Sequence, residues 1–107
     1  MAVGGEQNFV SGLRAVVVGG LFNQASGQAS AVLSGLSNSA TGYDASVVGG
    51  TLNAASGLYA AVASGRSNTA TGMAAFVASG TSNSADGSQS VVTGGTNKAI
   101  NGYNQVV

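Results

Sequence analysis

Side chains that could carry chemistry are few in this chain of 107 residues. It has three carboxylates, three basic residues and neither His nor Cys. Without His the chain lacks the usual general base and the commonest metal ligand, and without Cys it has no disulfide or thiolate metal site. The carboxylates Glu6, Asp44 and Asp86 lie far apart in the sequence, so no two of them form an acid–base pair within one chain. The many Ser residues have no base to activate them, and we therefore expect no enzymatic activity, no cofactor and no metal.

The same scarcity of charge bears on partners. The formal net charge is zero, so the chain cannot neutralise a series of phosphates, and we expect no nucleic-acid binding. An anionic membrane surface attracts clusters of basic residues, and the chain contains no such cluster. No stretch approaches the ~20 apolar residues of a membrane span. We expect no direct membrane contact from this segment.

An internal repeat decides how these residues are positioned. Asn, Val and two series of Gly each recur at a step of 15 residues through most of the chain. The unit begins Asn-x-Ala-[Ser/Thr]-Gly and continues, after four variable residues, with x-Val-x-[Ser/Gly]-Gly. Near the C-terminus Asn97 comes one residue early and Gly102 follows one residue late, two shifts that compensate. This numbering places every charge in a turn or on the outward face of the first segment, with Lys98 directly after the repeated Asn.

A unit of 15 residues is too short for a helical-hairpin repeat, which needs about 33 residues or more. It suits one coil of a β-solenoid, with two short strands and a Gly that permits positive φ after each strand. Stacked coils would pair in parallel about 4.8 Å apart, so about seven coils would form a rod about 34 Å long. Repeated Asn side chains could form a hydrogen-bonded ladder along it. We predict an all-β, parallel β-solenoid (a β-roll) of about seven 15-residue coils, as one domain over residues 1–107.

Strand neighbours point to opposite sides of a sheet, and this alternation predicts the interior of the coil. The invariant Val of the second segment shares a face with a small residue, and the Ala of the first segment meets it from the opposite strand. The predicted coil-interior residues are Val17, Val32, Val47, Val62, Val77 and Val92, together with Ala25, Ala40, Ala55, Ala70 and Ala85.

The other face of the second segment is also largely apolar. A strand that is apolar on both faces is buried on both faces, yet a single coil covers only one of them. The second face would form an apolar stripe too long to leave in water, so we predict a homo-oligomer with this face at its centre. The predicted interface residues are Val16, Val18, Leu33, Val48, Ala61, Ala63, Phe76, Ala78 and Val91.

The unit resembles the head repeat of the trimeric autotransporter adhesins, the YadA-like head. The segment Ala45-Ser46-Val47-Val48-Gly49-Gly50 matches the Ser-Val-x-x-Gly part of that repeat, and Ser67-Asn68-Thr69-Ala70-Thr71-Gly72 matches its Ala-x-Gly part. The resemblance covers essentially all of the chain, although Ser or Gly stands where the family has Ile. It implies a left-handed roll in a tight homotrimer, displayed on the bacterial cell surface. It also implies that residues 1–107 are one head segment of a larger protein anchored in the outer membrane by regions absent here.

The resemblance also implies attachment to host cells or to an extracellular-matrix protein. The candidate receptor contacts are turn residues, namely Arg14, Tyr43, Leu58, Tyr59, Arg66 and Met73. A purely structural spacer that displays other binding domains would have the same repeat. An ice-binding solenoid would need a regular Thr array, which the chain lacks, and an amyloid subunit would form fibres in place of discrete oligomers.

Overall fold

Thirteen strands of two residues each make up the regular structure of the computed structural model, which describes all residues 1–107. They wind into a parallel β-solenoid of about six turns without any helix. In chain order the strands are β1 (Phe9–Val10), β2 (Val16–Val17), β3 (Gln24–Ala25), β4 (Ala31–Val32), β5 (Ser39–Ala40), β6 (Ser46–Val47), β7 (Ala54–Ala55), β8 (Ala61–Val62), β9 (Thr69–Ala70), β10 (Phe76–Val77), β11 (Ser84–Ala85), β12 (Val91–Val92) and β13 (Ala99–Ile100).

The strands form two sheets that run along the whole rod. The odd-numbered strands make a seven-stranded sheet, here the first sheet, and the even-numbered strands make a six-stranded second sheet. Every strand pairs in parallel with the strand one coil away, so partners such as Val47 and Val62 lie 15 residues apart. A third line of parallel bridges runs along one corner from Glu6 to Thr96. The chain measures 35 × 23 × 11 Å.

The repeat continues without interruption into the last turn, which corrects the reading of two compensating shifts near the C-terminus. Ser84 pairs with Ala99 and Ala85 pairs with Ile100, both at the usual step. Lys98 therefore occupies the position of the repeated Asn, and Asn97 belongs to the turn before it. The placement of Lys98 directly after the repeated Asn was wrong, because an Asn lay by chance one position away.

The interior of the coil is a narrow core of small side chains. The second residue of each even strand from β2 to β12, always a Val, is fully buried, and so is the second residue of each odd strand from β3 to β11, always an Ala. Ile100 closes the core at the C-terminal end. A further column, which the alternation did not single out, is also buried; it consists of Ala15, Ser30, Ala45, Ala60, Ala75 and Ser90. The buried positions of this column hold only Ala or Ser, and Ser30 and Ser90 each donate their hydroxyl to a Gly carbonyl three residues earlier.

The repeated Asn side chains form a continuous ladder on the inner side of one corner. The Oδ1 of Asn38 accepts the backbone N–H of Asn53, 15 residues further on, at 3.0 Å. The Nδ2 of Asn38 donates to two carbonyl oxygens, those of Ser34 at 3.1 Å and Gly50 at 2.9 Å. The same three bonds recur at each ladder Asn from Asn8 to Asn83, and no buried side-chain nitrogen or oxygen in the chain lacks a partner.

The two Gly series serve different purposes. The series that contains Gly65 has positive φ, here 100°, as expected at a chain reversal. The series that contains Gly57 does not, which corrects the expectation that both series supply positive φ. Gly is needed at Gly57 because consecutive coils approach so closely that a Cβ there would overlap the carbonyl oxygen of Gly72.

In addition to the Gly65 series, fourteen residues other than Gly have positive φ, two in every 15-residue unit. Twelve of them, all except Gln7 and Arg14, donate their N–H to a carbonyl of the preceding coil; Gln89, for example, donates to the carbonyl of Met73 at 2.8 Å. A left-handed conformation costs an L-residue about 1–2 kcal/mol. The hydrogen bonds between coils therefore offset a backbone strain of this size at each of these residues.

Replacing Gln89 by Gly is expected to stabilise the fold. Gln89 is exposed and has a φ of 57°, so Gly relieves strain there, and the net gain after the extra chain entropy of Gly is about 0.5–1 kcal/mol. The matched control is Ser88→Gly, because Ser88 has negative φ and should lose about 0.5–1 kcal/mol. Urea unfolding of both variants at equal chain concentration measures the difference. Equal destabilisation by both substitutions would contradict the strain assigned to Gln89.

Candidate binding surfaces

The outer face of the second sheet carries all nine side chains expected at the oligomer centre. No other part of the chain covers them. Val16, Ala61, Ala63, Ala78 and Val91 are half-buried by their neighbours along the sheet. The larger side chains are exposed, by 36% for Phe76 and by between 42% and 48% for Val18, Leu33 and Val48. This face, named here the outer apolar face, is therefore a flat sheet surface of Val, Leu, Ala and Phe open to solvent.

One edge of the rod brings four of the six candidate receptor contacts together. Tyr43, Leu58, Tyr59 and Met73 lie in the turns of three consecutive coils, each between 39% and 53% exposed. The rings of Tyr43 and Tyr59 meet edge to face, with centroids 6.0 Å apart and planes at 84°. The N–H of Tyr59 also donates to the carbonyl of Tyr43 at 2.9 Å. These four residues are named here the tyrosine ridge.

The two arginines do not join the tyrosine ridge. Arg14 lies on the same edge but near the N-terminal end, two coils before Tyr43. Arg66 lies on a different corner, in the third line of bridges between Thr51 and Thr81. The six candidates therefore form one compact group of four and two separate cations.

A second apolar patch was missed by the sequence reasoning. Phe22, Leu36 and Leu52 are exposed by 53%, 41% and 53% on the corner that carries the third line of bridges. The corresponding residues of the later coils are polar, for example Ser67 and Thr81. A comparison of equivalent positions along the chain would reveal this gradient, whereas the repeated residue types do not, because the patch is confined to the earlier coils. It adjoins the N-terminal half of the outer apolar face.

The polar groups are dispersed along the rod. Asp86 accepts hydroxyl hydrogen bonds from Ser84, at 2.8 Å, and from Thr71. The structure has no pocket and no group of three or more acidic, His or Cys side chains. It also contains no helix that could cross a membrane. What this surface offers chemically is contact through flat faces and edges made by successive coils.

The class of this protein is defined by its fold, because comparisons with known proteins gave no match. No protein-family model matches the chain, and no curated protein matches it either. The structure itself defines the class, a repeat protein built as a parallel two-sheet β-solenoid with one 15-residue unit per turn.

Proposed function

We propose that this chain is a head segment of a bacterial surface adhesin, without enzymatic activity. In this proposal it forms a left-handed roll of about seven 15-residue coils. Three chains pack side by side through their outer apolar faces. The assembly is displayed at the cell surface and attaches to a host cell or to an extracellular-matrix protein.

The observation that carries the proposal is the outer apolar face. A soluble single chain rarely exposes a contiguous apolar patch of more than a few hundred Å², and this face runs the length of the second sheet. Its composition is that of an interior, with no charged side chain among its nine residues. A second copy of the chain is well suited to pack against this face, because its own outer apolar face has the same length, the same flat shape and the same apolar composition. The number three and the handedness come from the resemblance to the adhesin heads.

The tyrosine ridge is the part of the surface best suited to bind a host molecule. Tyr and Met are enriched at protein interfaces, and Tyr supplies a large contact area at a small cost in side-chain entropy. The ridge lies on an edge between the two sheets, so it stays accessible when the outer apolar face is covered. Three copies on one assembly would bind a repetitive host surface with avidity.

Changing Tyr43 and Tyr59 together to Ser is expected to weaken attachment. Truncation of a Tyr that anchors an interface costs about 2 kcal/mol or more, so the apparent affinity for host cells or matrix protein should fall at least about tenfold. Binding of the labelled oligomer to immobilised collagen, fibronectin and laminin and to host cells measures the change. The matched control is Gln28→Ser with Gln89→Ser, which alters two turn residues of the same edge.

The outcomes separate adhesion from other roles. Loss of binding in the Tyr variant alone supports the ridge as the adhesive site. Equal binding by the Tyr variant and the control moves the adhesive site elsewhere on the rod. No binding by the unaltered oligomer across the whole panel contradicts an adhesive role and leaves the segment as a structural spacer.

A further inference from the structure

Two aromatic rings and one carboxylate are brought together at the tyrosine ridge. Tyr43 and Tyr59 meet with their ring centroids 6.0 Å apart and their planes at 84°. Asp44 follows Tyr43 directly, and it holds in its coil the position that Tyr59 holds in the next, because Ser46 pairs with Ala61. The Cα atoms of Asp44 and Tyr59 are therefore about one strand spacing apart, about 4.8 Å. The ridge thus combines a perpendicular pair of rings with a negative charge beside it.

The charge of Asp44 is not neutralised within the chain. Asp44 is exposed, and its carboxylate accepts no hydrogen bond from the chain, whereas Asp86 accepts two, from the hydroxyls of Ser84 and Thr71. Arg14 is the only cation on this edge of the rod, and it lies two coils earlier in the same column. Two coils correspond to about 10 Å, which is about one Debye length at physiological salt. The Asp44 carboxylate is therefore available to a cation from another molecule.

The perpendicular rings form a notch that suits a cation. The face of an aromatic ring carries negative charge density, and a cation within about 6 Å of the ring centroid is attracted to it. Between two perpendicular rings a cation can lie against one face of each. Leu58 and Met73 continue the column of Tyr43 with apolar side chains that are 39% and 47% exposed. An aliphatic stem can pack against them while its charged end reaches the rings.

We propose that this notch binds an arginine side chain exposed on the host protein. The site is named here the Tyr–Asp notch and consists of Tyr43, Asp44, Leu58 and Tyr59. The inference rests on the proposed adhesive role of the ridge and specifies the chemistry that the ridge recognises. A guanidinium stacks on an aromatic face and donates two parallel hydrogen bonds to a carboxylate, whereas the ammonium of Lys is a compact and strongly hydrated charge. The notch offers both an aromatic face and a carboxylate, so it favours Arg over Lys.

Short peptides test this chemistry without any host protein. The probe is the pentapeptide Gly-Ser-Arg-Ser-Gly with blocked ends, and the matched peptides carry Lys, Gln or Glu in place of Arg. Titration of the whole chain, with isotope-labelled Tyr, should shift the NMR ring signals of Tyr43 and Tyr59. The signals of Tyr103, which has no second ring against it, should not move. The Lys peptide should bind more weakly, the Gln and Glu peptides should cause no shift, and added salt should weaken binding of the Arg peptide.

Substitutions separate the contribution of the charge from that of the rings. Asp44→Asn removes the charge, and Asn tolerates the φ of 56° at this position. Its affinity for the Arg peptide should fall about threefold and lose most of its dependence on salt. The matched control Asp86→Asn makes the same change in net charge away from the ridge and should bind normally. Tyr43→Phe keeps the ring face and should bind normally, whereas Tyr43→Leu, which places the residue of Leu13 and Leu58 in the same column, should lose about threefold.

The outcomes distinguish this inference from the adhesive role. Equal affinity of Asp44→Asn and Asp86→Asn for the Arg peptide overturns the proposal, and so does equal binding of the Lys and Arg peptides. Ring shifts with the Arg peptide but no attachment to host cells or matrix proteins would support the notch and contradict adhesion. Attachment to host material that survives Asp44→Asn but is lost in the Tyr variant would support adhesion through the ridge and overturn recognition of Arg.

Discussion

Replacing Asn53 by Ala is expected to lower the free energy of unfolding by about 3 kcal/mol or more. The substitution removes the partner of three backbone groups, the carbonyls of Gly49 and Gly65 and the N–H of Asn68. Each such group left buried without a partner costs about 1–3 kcal/mol. Water cannot readily replace the amide, since Asn53 lies inside the corner between two intact coils and is only 1% exposed.

The matched control for Asn53→Ala is Asn97→Ser. Asn97 is exposed and lies outside the ladder, and three equivalent turns already carry Ser, at Ser37, Ser67 and Ser82. Its substitution should change the free energy of unfolding by no more than about 0.5 kcal/mol. Urea denaturation followed by circular dichroism measures both variants at the same chain concentration. Equal stability of the two variants would mean that the ladder contributes nothing beyond what solvent supplies.

The chain itself contains one natural interruption of the ladder, at Lys98. The Oδ1 of Asn83 still accepts the N–H of Lys98 at 2.8 Å, so the rung below is complete. Lys98 has no side-chain oxygen to accept a hydrogen bond from a further coil, and its aliphatic chain instead lies against Gly95. The test is placed at Asn53 because its ladder bonds reach the coils on both sides of it, in the middle of the rod.

Much of this fold could be predicted from spacing alone, because one period governs the whole chain. The constant step of Asn, Gly and Val fixes the coil length, and alternation along a two-residue strand decides which side chain points inward. Val62 and Ala70 lie fully buried for this reason. Each coil repeats the environment of the last, so a single correct inference about one residue extends to its whole column.

Other features could not be predicted, because a repeating pattern of residue types does not show how the backbone of one coil packs against the next. The sequence shows that Gly57 and Gly65 both recur, but not that one avoids a backbone overlap while the other reverses the chain. The column that contains Ala60 is buried because the turn before the second sheet packs against the interior of the coil. The alternation of side chains along a strand does not describe residues in a turn. The register of Lys98 was misread because a pattern of residue types cannot distinguish a shift from a substitution.

The candidate surfaces were partly predictable and partly not. The outer apolar face follows the period, so its columns could be identified from strand alternation. The contact between Tyr43 and Tyr59 depends on two Tyr at positions that are not equivalent in the repeat, and on the positive φ of Tyr59 in the turn between the sheets. Sequence alone gave no means to separate that compact ridge from the isolated Arg14 and Arg66.

If the chain forms the proposed trimer, replacing Val48 by Asp is expected to convert it into single chains that remain folded. Val48 is 48% exposed in the single chain, so the carboxylate can be solvated there and the β-solenoid should persist. Within the proposed trimer the same position is covered by neighbouring chains. A buried charge without a partner costs about 3–5 kcal/mol, and a trimer would contain one such charge for each chain. Light scattering should give the mass of one chain in place of three, with the β-type circular dichroism retained.

A charge on the opposite surface provides the control for Val48→Asp. Thr41 is exposed on the outward side of the first sheet, in the column where Asp86 stands naturally. Thr41→Asp should therefore leave the oligomeric mass unchanged. A second test of the same face is Phe76→Asp, which removes an exposed aromatic ring two coils away and should also dissociate the assembly. Retention of the full oligomeric mass by either apolar-face variant, or a single-chain mass for the unaltered protein, would contradict assembly through the second sheet.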